Sequence, residues 1–192
     1  MQIVYIHGAT ASERSFAFIQ ESLKFKKTIY LNYDKTTSAD TNLKIMQEKL
    51  DQETGPFFFI CHSLGGVYAV YLQQKFLQKT KSVISLSTPF AGSENAIWGS
   101  ILNPGFQLFK DIQITSDFIR QSFYIEIKVP WTQVISTVGD VPWIRGANDG
   151  VVTRRSMTYR SDVKYAEIDR NHYEIVLSKR VVDLIRDVYK RT

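Results

Sequence analysis

The chain has 192 residues, 44% hydrophobic and 22% charged, with a net charge of +5. That length suits one domain with its own hydrophobic core, and the single cysteine, Cys61, excludes an intramolecular disulfide. No apolar run approaches the ~20 residues that span a bilayer, and the N-terminal MQIVYIHG lacks the basic region and long apolar stretch of a signal peptide. The expectation is a cytoplasmic protein with no stable membrane insertion.

In chain order, residues 2–6 (QIVYI) read as a strand followed by a turn at His7-Gly8. Ser12 and Ser15 are each placed to cap a helix over residues 16–24. A second strand covers residues 28–33 (TIYLNY). A helix follows over 40–52, with Leu43, Met46 and Leu50 at helical spacing, and Gly55-Pro56 breaks it. Residues 57–61 are apolar at every position, as a central parallel strand covered on both faces would be. Helical periodicity returns over 66–78. Further strands fall at 83–87, 134–138 and 163–168, and residues 173–189 form an amphipathic helical stretch. Strand and helix alternate, which implies right-handed crossovers. The predicted architecture is a three-layer α/β/α sandwich around a mostly parallel sheet of about six strands. About forty aromatic-rich residues separate Thr88 from Trp131, so residues 91–130 are read as a helical insert within a single domain 1–192. It either completes the core or caps a pocket.

The junction at Cys61-His62-Ser63-Leu64-Gly65-Gly66 fits neither a strand nor a helix alone. A sharp turn from an apolar strand into a helix lifts the Ser63 hydroxyl out of the sheet edge and sets it at the positive end of the helix dipole. His62, adjacent to Ser63, is expected to face away from the hydroxyl. ICHSLGG resembles the nucleophile elbow (G-H-S-x-G-G) of the α/β-hydrolase superfamily, in particular its lipase and esterase branch, with Cys61 where glycine is usual. Buried under the turn, Cys61 reads as a small packing residue.

The resemblance implies a minimal version of that fold and a Ser-Asp-His triad. The family's histidine follows the last strand, and of the three histidines only His172, in IDRNHYEIV, stands there. Two aspartates compete for the acid. Asp149, in GANDGVV, resembles the D-G-V-V stretch of lipase-like members and is preferred, while Asp140 remains the alternative. Leu64 and, in the YIHGATAS loop, Ala9 would offer backbone N–H groups as an oxyanion hole. Gly8 would let that loop turn close to the substrate, and His7 would brace it. Thr88-Pro89-Phe90-Ala91-Gly92 resembles a T-P-H-x-G stretch, with Phe90 in the histidine position. His7, Gly8, Phe90 and Trp98 are the expected substrate-binding residues.

These residues imply a serine hydrolase that cleaves carboxylic ester bonds, or thioester or lipid acyl bonds, through an acyl-enzyme on Ser63. The alternatives are a catalytically silent binding protein of the same fold, or an acyltransferase with the same triad. No metal or organic cofactor is called for, since clustered His/Cys/Asp ligands, G-x-G-x-x-G and P-loop patterns are absent. The expected partner is a small-molecule or lipid ester. The basic residues form scattered short clusters (Lys24, Lys26 and Lys27; Arg154 and Arg155; Lys190 and Arg191), as on a solvated surface, so no nucleic acid is expected. The sequence leaves the oligomeric state open.

Overall fold

The structure is a computed structural model that describes residues 1–94, 96, 101–103 and 105–192. Six strands form one sheet: β1 (Gln2–Ile6), β2 (Thr28–Tyr30), β3 (Phe57–His62), β4 (Thr80–Leu86), β5 (Trp131–Ser136) and β6 (Lys164–Ile168). Their order is β2-β1-β3-β4-β5-β6 and every pairing is parallel. The chain therefore starts beside one edge and winds outward in both directions from the β1–β3 centre, one crossover at a time.

Side-chain alternation along β3 explains the three layers. Phe57, Phe59 and Cys61 point into one core with Val4, Ile6, Met46, Leu50, Val67 and Val70. Helices α2 (Ala39–Asp51) and α3 (Leu64–Lys75) cover that face. Phe58 and Ile60 point the other way, into a second core with Tyr5, Phe16, Ile19, Ile84, Val134, Val181 and Ile185. Helices α1 (Ala17–Leu23) and α6 (Lys179–Lys190) cover it. A strand buried on both faces has no polar side to show, which is why residues 57–61 are uniformly apolar. Ser38 starts α2, its hydroxyl accepting from the Thr41 amide at 3.2 Å. No helix among the described residues is long and apolar enough to cross a membrane.

The long connection after β4 holds helices α4 (Gln107–Asp111) and α5 (Asp117–Ser122). Leu108, Ile112, Phe118 and Ile119 are buried in the α2/α3 core, and the Phe118 ring stacks on Tyr71 at 4.8 Å. Phe109 and Ile112 also line the cavity described below. Arg160, before β6, holds the returning end. It donates to the carbonyls of Ser122 (3.0 Å) and Ile125 (2.7 Å) and pairs with Asp162 at 2.6 Å.

The strands expected at 83–87 and 134–138 each begin three residues earlier, at Thr80 and Trp131, and two further elements are cut short or broken. The second strand stops at Tyr30, since β2 is an edge strand and only the Leu31 amide extends its ladder, to the Tyr5 carbonyl. The C-terminal stretch breaks into a 3-10 turn (Glu174–Leu177) and α6, because Ser178 is extended (φ −82°, ψ 124°) and starts a new helix.

Arg160 gives the first test. Arg160→Met leaves two carbonyls and a carboxylate without their donor. Allowing for the partial exposure of Asp162, urea unfolding should show a loss of about 2–3 kcal/mol. A loss below about 0.5 kcal/mol would mean that the connection is anchored elsewhere.

Candidate active site

Ser63 ends β3 and begins α3 in a conformation that a residue with a side chain rarely adopts, φ 51° and ψ −124°. Such backbone strain costs on the order of 1–3 kcal/mol and persists only where the surroundings enforce it. Here the Ser63 amide donates to the Leu86 carbonyl at 2.8 Å, and the Ser63 carbonyl accepts from Gly66 at 3.0 Å. The first turn of α3 runs so close to β1 that a Cβ at Gly65 would lie 2.1 Å from the Ile6 carbonyl oxygen. One at Gly66 would lie 1.9 Å from Thr88 Oγ1. Only glycine fits at either place. The Ser63 hydroxyl caps no amide of α3, so it is not spent on the helix it introduces.

His172 lies in the loop after β6, where the side chain of Asn171 accepts from the amides of Tyr173 (3.0 Å) and Glu174 (2.9 Å). Its Nδ1–H donates to Asp149 Oδ2 at 2.8 Å, and its backbone amide donates to the Asp149 carbonyl at 3.0 Å. Asp149 Oδ1 accepts from the amides of Val151 (3.1 Å) and Val152 (2.8 Å), and the Ser136 hydroxyl donates to Oδ2. The Ser87 hydroxyl is 2.7 Å from that of Ser136. Burial alone would raise the Asp149 carboxyl. The His172 hydrogen bond and charge, with the Ser136 and Val152 donors, outweigh burial and hold it below the usual carboxylate range.

His62 also lies against this site. Its Nε2–H donates to the His172 carbonyl at 2.9 Å, and the two rings are 4.9 Å apart. Burial, reinforced by the neighbouring His172, lowers its pKa to about 3 and keeps it neutral. The loop after β1 is fixed by His7, whose Nδ1–H donates to the Gly8 carbonyl at 2.8 Å and whose ring stacks on Tyr33 at 4.4 Å. In a trans peptide the C=O and the next N–H point in opposite directions, so holding the Gly8 carbonyl aims the Ala9 amide the other way.

A cavity of about 490 Å³ lies over the C-terminal ends of the strands. Gly8, Ala9, Ser63, His62 and His172 line it together with apolar side chains that include Ile112, Val151 and Val176. Among the described residues no group of three His, Cys, Asp or Glu side chains is placed to hold a metal ion.

No protein-family model and no curated protein matches the chain. Solved structures do. The phospholipase PlaB from Legionella pneumophila superposes with a TM-score of 0.67 over 82% of this chain at 16% identity, and the match spans 45% of PlaB, less than half its length. The mature lipase BlEst2 from Bacillus licheniformis gives 0.73 at 15% identity, covering 97% of this chain and 91% of BlEst2. An extracellular α/β-hydrolase from a Paenibacillus species gives 0.66 at 12% identity, covering 97% and 98%. This chain has the α/β-hydrolase fold.

Ser63 stands at the turn after β3, and His172 stands in the loop after β6. Of the two aspartates, Asp149 rather than Asp140 stands against His172. Asp140 Oδ1 instead accepts from the Asn148 amide at 2.7 Å and braces the loop that carries Asp149. Leu64 is buried, and its amide lies in the first turn of α3 beside Ser63. Gly8 and Ala9 line the cavity, whereas His7 is behind it, bonded to the loop.

Two expectations change, and a third falls on a residue that is not described. Phe90 is not on the cavity wall. It is buried with its ring 6.0 Å from that of Trp131 and under the Arg160 guanidinium, because the T-P-F stretch turns its aromatic ring inward. His62 does not face away from the site, because its ring reaches across to the His172 loop. Trp98 lies outside the described residues. The sequence reading missed Ser136 and Ser87, the hydroxyls behind Asp149. Their only signal was position, since both stand at the C-terminal ends of parallel strands, beside an expected acid.

Two measurements follow from this geometry. Gly65→Ala sets a Cβ against backbone that cannot move without displacing β1, so a loss of about 3 kcal/mol or more is expected in chemical denaturation. A near-neutral result would contradict the close approach. His62 binds its proton in the unfolded chain near pH 6.5 but in the folded chain only near pH 3, so stability falls as pH drops through that window. Between pH 7.5 and 5 this amounts to about 2 kcal/mol. The acid-induced drop in unfolding free energy should be smaller by that amount in His62→Asn; an equal drop in both proteins would show that His62 is not buried neutral.

Proposed function

We propose that this chain is a serine hydrolase that cleaves carboxylic esters through an acyl-enzyme on Ser63. One observation carries the reading: a strained serine at the β3–α3 turn shares a cavity with a histidine whose Nδ1–H is held by a buried aspartate at 2.8 Å. The bond to Asp149 leaves His172 Nε2 unprotonated and able to accept a proton. In the free chain no hydrogen bond among the described residues joins Ser63 Oγ to His172; in such sites that contact tightens when substrate binds.

The Ser63 oxygen attacks the ester carbonyl carbon and its proton passes to His172 Nε2. The carbonyl electron pair moves to oxygen, where the Leu64 and Ala9 amides receive it. The tetrahedral species collapses, the C–O bond to the alcohol breaks, and His172 returns the proton to the leaving oxygen. Water repeats the sequence on the acyl-enzyme, releasing the acid and free Ser63. Asp149 keeps the imidazole in the reactive tautomer and stabilises its charged form. The lipase and phospholipase names among the structural neighbours agree with an ester or lipid acyl substrate, and the apolar cavity agrees with an apolar acyl group.

Wild-type protein should react with a fluorophosphonate and hydrolyse p-nitrophenyl esters, and Ser63→Ala should abolish labelling and lower kcat by about 10⁴-fold or more. Asp149→Asn should lower kcat by about 10³–10⁴-fold in a folded protein, against less than about tenfold for Asp140→Asn. A folded wild type that never labels would leave the fold serving as a binding protein. Equal losses at the two aspartates would remove the assignment of Asp149.

A further inference from the structure

This inference rests on the hydrolase reading and concerns which ester the site takes. The cavity wall is built from small and apolar side chains, among them Ala9, Ala11, Ala96, Val152 and Leu177. Its polar groups are hydroxyls and the two neutral or Asp149-bound imidazoles at the floor. Against that wall stands one full charge, Arg14, on the 3-10 turn Glu13–Phe16 that continues the Gly8–Ala9 loop. No aspartate or glutamate lies on the described wall. Arg14 enters no ion pair among the described residues. The adjacent Glu13 is committed elsewhere, accepting from the Asn32 side chain.

Several cations away from the cavity are paired with carboxylates. Lys75 pairs with Asp51, Arg154 with Glu167, Arg160 with Asp162 and Arg186 with Asp183. Arg14 is exposed and borders an apolar cavity, where the field of a guanidinium is less screened than on open surface. A guanidinium presents paired N–H donors that match the two oxygens of a carboxylate or a phosphate.

We infer that the site selects anionic esters, in which an apolar acyl chain and a carboxylate or phosphate group belong to one molecule, and that Arg14 binds the anionic group at the cavity mouth. Arg14 acts on binding, so its effect falls on KM. The chemistry at Ser63 is the same for neutral and anionic esters.

Matched pairs of esters test this. On the acyl side, p-nitrophenyl hexanoate is compared with the mono-p-nitrophenyl ester of adipic acid. On the alcohol side, phenyl hexanoate is compared with 4-hexanoyloxybenzoate and with phenyl hexanoate bearing a 4-phosphate. Wild type should prefer at least one anionic ester over its neutral match by about tenfold or more in kcat/KM, the gain of a charge-assisted hydrogen bond. The preference should shrink as salt rises. In Arg14→Gln that ratio should fall to near one through KM, and in Arg14→Glu it should invert. Whichever arm responds tells on which side of the ester the anion sits and whether carboxylate or phosphate is favoured.

Turnover of the neutral esters with no anionic preference on either side overturns the selectivity while leaving the hydrolase reading intact. A preference that survives Arg14→Gln overturns the assignment to Arg14. If wild type neither labels at Ser63 nor cleaves any ester, the hydrolase reading fails and the selectivity with it.

Discussion

Everything that this site can do depends on one backbone constraint, the forced turn at Ser63. A serine does not choose φ 51° unaided. The turn is imposed by a fully buried strand on one side and by a helix packed against β1 and Thr88 on the other. Two adjacent glycines allow that approach. The stability of a fully apolar central strand, buried on both faces, is what offsets the cost of the strain. A less buried β3 could relax the turn, and Ser63 would become an ordinary helix cap whose hydroxyl bonds its own backbone.

The second half of the site is built on a different principle. His172 and Asp149 come from loops, which are mobile unless tied down. Here Asn171 holds the start of the 3-10 turn, Asp140 holds Asn148, and the Asp149 carboxylate is satisfied on both oxygens. A buried carboxylate with so many donors stays ionised, and an ionised Asp149 fixes the tautomer of His172. The hydroxyls of Ser136 and Ser87 extend that network into the sheet, so the acid is anchored to β4 and β5 rather than to its own loop alone. The Arg160 clamp does the same for the long connection, whose Phe109 and Ile112 form part of the cavity wall.

What could be read from the sequence follows from how local each signal is. Ser63 was legible because the strand, turn and helix that define it are contiguous, and Gly65 and Gly66 have no other use there. His172 was legible by scarcity, as one of three histidines. Between Asp140 and Asp149 chain order gave no choice, since both follow β5, and only the D-G-V-V resemblance favoured Asp149. Ser136 and Ser87 were invisible because serine at a strand end has many uses. Phe90 was misplaced because a resemblance of five residues carries no information on which way a side chain turns, and the Trp131 ring and Arg160 that receive it lie far along the chain. The break at Ser178 was hidden because apolar spacing runs through it unchanged.

The proposed chemistry requires the Ser63 oxygen, the His172 imidazole and the Leu64 and Ala9 amides to converge on one reacting centre. A crystal structure of the protein covalently modified at Ser63 by an alkyl phosphonate measures this directly. The account predicts the phosphoryl oxygen at about 2.7–3.1 Å from both the Leu64 and Ala9 nitrogens, with His172 Nε2 turned toward the Ser63 oxygen. A phosphoryl oxygen pointing away from those amides, or an imidazole out of reach of Ser63, would contradict it.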